Sequence, residues 1–163
     1  MMKTFLLLLL VAGLAACQNE SQSGQAAPEL SPGETEGYDA RLAEKLGADD
    51  YGMHQYVMAF LKAGPNRSQD SLEAARLQKA HLDNISRMAK EGTLVLAGPF
   101  MDDGDIRGIY IFDVQSIEEA EKLTATDPAI QAGRLVMELH PWYGSAALMQ
   151  VTEVHEKLAK KRF

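Results

Sequence analysis

The chain has 163 residues, 46% hydrophobic and 24% charged, with 16 Lys and Arg against 23 Asp and Glu. That composition is too apolar for a disordered protein and leaves room for one real core. A single cysteine excludes a disulfide framework and any multi-cysteine zinc or iron–sulfur site. A net charge of −7 argues against nucleic acid as a partner, because phosphate binding needs a positive surface. What remains is a domain that handles something small, with no cofactor expected.

The N-terminus reads as an address. Lys3 supplies positive charge, and Phe5 to Gly13 is an uncharged apolar run. Extended through Leu14-Ala15-Ala16 it is still too short to cross a hydrocarbon core of roughly 30 Å. The run ends in Leu14-Ala15-Ala16-Cys17, which resembles a bacterial lipoprotein lipobox. Residues 1–16 are then a signal peptide and Cys17 the lipidated N-terminus, carrying enough acyl chains for stable anchoring. Gln18 is not the aspartate that favours inner-membrane retention, so the expectation is an outer-membrane lipoprotein with its domain in the periplasm. An ordinary signal peptide cut before an incidental cysteine is the plainer reading.

Residues 17–50 follow as a flexible acidic tether. Positions 18–50 carry eight acidic residues against Arg41 and Lys45 and have one aromatic, Tyr38. Such a stretch buries too little apolar surface to offset its ordering entropy. A helical turn is expected around Asp39–Leu46. Residues 51–163 form the folded domain, which is close to neutral.

Within it, Met53–Lys62 reads as a strand rich in aromatic and apolar residues, broken by Gly64-Pro65-Asn66. Ser71–Lys90 reads as a helix capped by Ser71 or Asp70. Leu72, Ala75, Leu82 and Ala89 make one stripe on it, and Leu77, His81, Ile85 and Met88 run beside it. Thr93–Ala97 is a second strand and Ile106–Val114 a third, joined by a turn at Asp102-Asp103-Gly104-Asp105. Ser116 and Glu119 form a capping box for a helix reaching about Ala125. Asp127-Pro128 starts a short turn, Arg134–His140 is a fourth strand, and Ser145–Lys161 a C-terminal helix.

The order βαββαβ gives an α+β fold, a ferredoxin-like plait with an antiparallel sheet and both helices on one face. Ile109-Tyr110-Ile111-Phe112 and Leu135-Val136-Met137 put apolar groups on both faces of the sheet. The helices cover only one of them. A second copy, giving a face-to-face homodimer, is the economical cover, and the C-terminal helix is the alternative.

No standard catalytic motif is present. Val154-His155-Glu156 begins like a zinc-protease helix, but Ala159 stands where the second histidine belongs. The histidines at 54, 81, 140 and 155 lack ligand spacing, so no metal site is expected. His81 lies in the apolar stripe of the first long helix and points toward the sheet. Alone, that describes a buried structural histidine as well as a catalytic one. Asp127, before a proline, is equally well explained as a helix N-cap.

From about Tyr56 to Met149 the chain resembles the YCII-related (YciI-like) family of dimeric α+β barrel proteins. The resemblance rests on Gly64-Pro65-Asn66-Arg67, Ala80-His81-Leu82, Leu96-Ala97-Gly98-Pro99-Phe100 and Asp103-Gly104-Asp105-Ile106-Arg107-Gly108. It continues through Thr126-Asp127-Pro128, Ala132-Gly133-Arg134-Leu135 and Glu138-Leu139-His140-Pro141-Trp142. It implies a dimeric α+β barrel in which His81 and Asp127 are the active-site pair. A few members eliminate halide from chlorinated aromatic rings, so a lyase- or dehydrochlorinase-like reaction is one expectation. The signal, the tether and the basic C-terminus depart from the family and argue against a cytoplasmic catabolic role.

A carboxylate beside an imidazole fixes its tautomer and favours its charged form. The pair is therefore expected to perform general acid–base chemistry on a small cyclic or carbonyl-bearing molecule. Arg67 or Arg107 would hold a substrate anion, Gly98-Pro99 would shape the strand end, and Trp142 would wall the pocket. Surface solvation, a turn and plain packing are the respective alternatives. A non-catalytic periplasmic ligand-binding or envelope-associated module is the other functional reading.

Overall fold

The computed structural model describes residues 37–161. The signal peptide, Cys17 and the first part of the tether lie outside the described residues. Helix α1 (Ala40–Lys45) opens the described part, with the Asp39 carboxylate capping the Arg41 and Leu42 N–H groups at 3.0 Å. Strand β1 (Met53–Ala63) leads to α2 (Ser71–Lys90), where Asp70 rather than Ser71 is the cap, accepting from the Glu73 N–H at 2.8 Å. Strands β2 (Leu94–Pro99) and β3 (Ile106–Phe112) follow. Helix α3 (Ile117–Thr124) is opened by a variant of the expected capping box: Ser116 Oγ accepts from the Glu119 N–H, while the Glu119 carboxylate accepts from the N–H of Gln115, one residue ahead of the cap. Helix α4 (Pro128–Gln131), strand β4 (Leu135–Ser145), a 3-10 turn (Ala146–Gln150) and α5 (Val151–Leu158) complete the order.

The four strands form one antiparallel sheet in the order β2-β3-β1-β4. With α2 and α3 between the strand pairs, this is the ferredoxin-like plait. Val57, Ala59, Leu61, Leu94, Tyr110 and Phe112 meet Met88 of α2 and Ala120 of α3 in the main core. The opposite face carries a second cluster of Tyr56, Val95 and Ile111, with Trp142 and with Leu148 and Met149 of the C-terminal segment. That segment covers one end of the far face, while Val136 remains 42% exposed there.

Several expected boundaries shift, each for a physical reason. Strand β4 continues past His140 because Pro141, Trp142 and Tyr143 pair with Val57, Tyr56 and Gln55. Proline is tolerated there because, among the described strands, β4 lies at the edge of the sheet and pairs on one side. The same holds for β2, so Gly98-Pro99 belong to the strand, opposite Ile109 and Gly108. The C-terminal helix breaks into the 3-10 turn and α5, since Ser145 still belongs to β4. On α2 the Leu72 stripe is not the buried one: Leu72 is 81% exposed, and Leu77, His81, Asn84 and Met88 face inward. The compact unit begins at Asp39, ahead of the expected boundary at 51: Leu46, the C-cap of α1, is buried, and the Gly47 carbonyl after it bonds to His54 of β1.

One corner fixes how α2 leaves β1. The Gly64 N–H donates to the Arg134 carbonyl at 2.8 Å. A Cβ on Gly64 would stand 2.2 Å from the Gly133 carbonyl oxygen, which is backbone and has little room to move. Gly64→Ala is expected to lower stability by about 1–3 kcal/mol, read as a fall in the urea midpoint. An unchanged midpoint would show that the two loops separate freely.

Candidate active site

Helix α2 turns Leu77, His81, Asn84 and Met88 toward the sheet at spacings that keep one face inward. This leaves His81 only 7% exposed. Facing it is the connection between α3 and α4. Asp127 ends that connection in an extended conformation and is fully buried, with Pro128 at the first helical position. Its two carboxylate oxygens have separate tasks. Oδ1 accepts from the Ala129 N–H at 2.8 Å and caps α4, while Oδ2 accepts from His81 Nδ1 at 2.6 Å. Cap and imidazole partner, which the sequence leaves as alternatives, are both realised by one side chain.

The tautomer follows from these partners. A carboxylate only accepts, so the proton of a neutral His81 sits on Nδ1 and the lone pair on Nε2. Against Nε2 lies the Tyr110 hydroxyl, at 3.3 Å, with the two rings stacked at 6.2 Å and 20°. Burial first, and then the Asp127 charge, push the Tyr110 phenol far above the ordinary tyrosine range. It therefore stays protonated and donates to Nε2. Asp127, His81 and Tyr110 form a hydrogen-bonded line from helix cap to sheet. A second proton on His81 would turn its contact with Asp127 into an ion pair.

A second set of polar groups holds the Asp127 connection in place. Buried Asn84, one turn along α2 from His81, accepts from Arg87 Nη2 at 2.9 Å and faces Thr126 Oγ1 at 3.1 Å. Arg87 Nη2 also donates to Thr126 Oγ1 at 3.0 Å. Residue 126 is thereby tied to α2, which brings residue 127 opposite position 81.

The other expected residues lie elsewhere. Arg67 is exposed in the β1–α2 loop, and Arg107 is exposed on β3, with its carbonyl accepting from the Phe100 N–H. Gly98 and Pro99 sit on the β2 edge. Trp142 packs on the far face against Tyr56, ring centres 5.8 Å apart. No hydrogen bond links any of the five to His81 or Asp127 among the described residues. A cleft of about 540 Å³ is lined by Thr93, Asp113, Glu119 and Lys122 with their neighbours. Another, of about 380 Å³, is lined by Ile117, Thr124, Val136 and Leu139 among others. Neither is lined by the pair. Among the described residues no group of three or more His, Cys, Asp and Glu is placed to hold a metal.

Tyr110 and Asn84 carry little signal in the sequence. Tyr110 looks like one more apolar strand residue, and only the packing of β3 under α2 sets its hydroxyl against the imidazole. Asn84 has a faint one, lying three residues after His81 on one helix face.

A family model for the YCII-related domain matches residues 56–143. Among curated proteins, none matches the chain. Among solved structures, 5-chloro-2-hydroxyhydroquinone dehydrochlorinase (TftG) from Burkholderia phenoliruptrix AC1100, in complex with 2,5-dihydroxybenzoquinone, shares 20% identity. That likeness covers 55% of this chain and 93% of the other at a TM-score of 0.41. A likeness at that score bears on neither the reaction nor the substrate.

Asp127→Asn keeps a cap oxygen for Ala129 but presents an amide N–H₂ to His81. It is expected to retain the fold and to move the neutral imidazole's proton from Nδ1 to Nε2, read from the ring nitrogen shifts by NMR. Asp127→Ala loses both bonds and should cost roughly 3 kcal/mol in urea unfolding. An unaltered tautomer in the asparagine variant would contradict the bonding described.

Proposed function

The chain belongs to the YCII-related family, and we propose that it is a small-molecule acid–base enzyme working through His81. The observation that carries this reading is the buried 2.6 Å bond from His81 Nδ1 to Asp127. With Nδ1 committed, Nε2 is the nitrogen left to take a proton from substrate and to return it. The imidazolium formed in between is stabilised by the Asp127 carboxylate, the usual logic of a base held by an orienting acid group. The reaction class that fits is proton transfer on a small cyclic or carbonyl-bearing molecule, including eliminations of the lyase or dehydrochlorinase type. Arg67 or Arg107 would hold a substrate anion, Gly98-Pro99 would shape the adjoining strand end, and Trp142 would contribute a wall. For Trp142, placed on the far face, that role depends on the second copy described below.

A second reading has its own support. Tyr110 occupies Nε2, and neither cleft reaches the pair. A non-catalytic ligand-binding or envelope-associated module would have that appearance, with the pair serving as a brace. A thermal-shift screen of small carbonyl and phenolic compounds, followed by turnover assays on the binders, separates the two. For an enzyme, His81→Gln and Asp127→Asn should each reduce turnover by about 10²–10⁴-fold. Full turnover in both variants would overturn the proposed roles.

We also propose that the far face of the sheet pairs with a second copy. In support, β1, β3 and β4 carry apolar residues on both faces, and the C-terminal segment covers only part of the second. Val136→Glu is expected to convert a dimer into a monomer in sedimentation velocity. A native protein that is monomeric at micromolar concentration would refute the pairing. For localisation the proposal is lipidation at Cys17, outer-membrane anchoring and a periplasmic domain, supported by Leu14-Ala15-Ala16-Cys17 and by Gln18. Loss of the membrane-bound fraction in Cys17→Ser would be the sign.

A further inference from the structure

Another imidazole–carboxylate contact, apart from the His81 pair, lies at the start of β1. His54 on β1 places Nδ1 2.9 Å from the Gly47 carbonyl and Nε2 2.9 Å from the Asp113 carboxylate. Both partners only accept. A neutral imidazole has one N–H and one lone pair, so it satisfies one of them and turns the lone pair on the other. Only the imidazolium, with two N–H groups, makes both bonds. Gly47 is shaped for this contact: its φ is +64°, and an added Cβ would stand 3.1 Å from His54 Nδ1.

We propose that His54 is a proton-operated latch, which as an imidazolium ties α1 to the sheet and on losing its proton lets go of the Gly47 carbonyl. The carboxylate is the stronger acceptor, so the remaining N–H stays with Asp113 and the lone pair faces Gly47. Gly47 closes the turn after α1, so the latch controls how firmly α1 and that turn are seated on the sheet.

The surrounding groups leave His54 as the one that switches. From β1 itself, Tyr56 stands edge-on at 4.7 Å, its phenol pushed up by burial and then by Asp113. From the turn and β4, Asp49 is hydrogen-bonded to the Tyr143 hydroxyl. That bond holds the Asp49 carboxyl below the usual range and pushes Tyr143 up to about 12. From α3, Glu119 and Lys122 line the same cleft as Asp113. Lys45 of α1 meets Glu153 of α5 at 3.8 Å. For His54, burial pulls the imidazole down, but the Asp113 and Gly47 bonds outweigh it and the net direction is upward. A value raised on folding gives a contribution fully present below about pH 6.5 that is lost as pH rises through the folded-state value.

The test is amide hydrogen exchange of the whole chain at pH 6 and pH 9, corrected for intrinsic rates, alongside ring-nitrogen NMR of His54. The latch predicts about tenfold weaker protection in Ala43–Ala48 at the higher pH. It also predicts two protonated ring nitrogens at pH 6 and a His54 midpoint above 6.5 that falls in Asp113→Asn. In His54→Gln the pH dependence of that segment should vanish. A midpoint at or below 6.5, equal protection at both pH values, or pH dependence that persists in His54→Gln would each overturn it.

Discussion

Everything at the candidate site depends on one carboxylate serving two masters. Asp127 is fully buried, so each of its oxygens must be satisfied within the protein. One caps α4 and the other holds His81. Because the same group starts a helix and orients an imidazole, the position of the ring is as rigid as the helix start. Pro128 sharpens this, fixing the backbone at the first helical position and donating no N–H of its own. The Asn84–Arg87–Thr126 contacts then bring that rigid cap up against α2.

The sheet supplies the other half of the site. Tyr110 stands on the helix-facing side of β3, cross-strand from Ala59, and lies directly under His81. The small side chain at 59 leaves space for the tyrosine ring, which is itself braced edge-on by Phe112 at 5.6 Å. A buried phenol needs a hydrogen-bond partner, and Nε2 is the one it has. The protein thus covers the very nitrogen that chemistry would use. Catalysis through His81 accordingly requires the Tyr110 bond to exchange for one to substrate.

Much of this architecture is legible in the amino-acid sequence, and the reasons are local. The limits of α2 follow from a cap at Ser71 or Asp70 and from apolar spacing, both visible along a single stretch of chain, though which of two adjacent stripes is buried is not. Asp127-Pro128 announces a helix start for the same reason. The βαββαβ order follows from alternating periodicities and gives the observed sheet. What the sequence hides is tertiary. Nothing near Tyr110 says that its hydroxyl ends against an imidazole from 29 positions earlier. Pro141 looks like a strand end until β4 is known to be an edge. The acidity of 39–50 hides the buried Leu46 and the Gly47 carbonyl that dock that segment. The arginines and Trp142 mark family motifs, and motif membership alone does not say which face of the sheet a residue occupies.

The claim at the centre is that His81 presents a usable Nε2 while Asp127 holds Nδ1. Diethyl pyrocarbonate acylates an unprotonated imidazole nitrogen that it can reach, so it probes that claim directly. Peptide mass spectrometry with NMR of the modified ring would report where and how fast His81 reacts, in the native chain and in Tyr110→Phe. Acylation is expected at Nε2, several-fold faster once the phenolic hydroxyl is gone. Reaction at Nδ1, or a His81 inert in both proteins, would contradict the claim and leave the pair as a brace between helix and sheet.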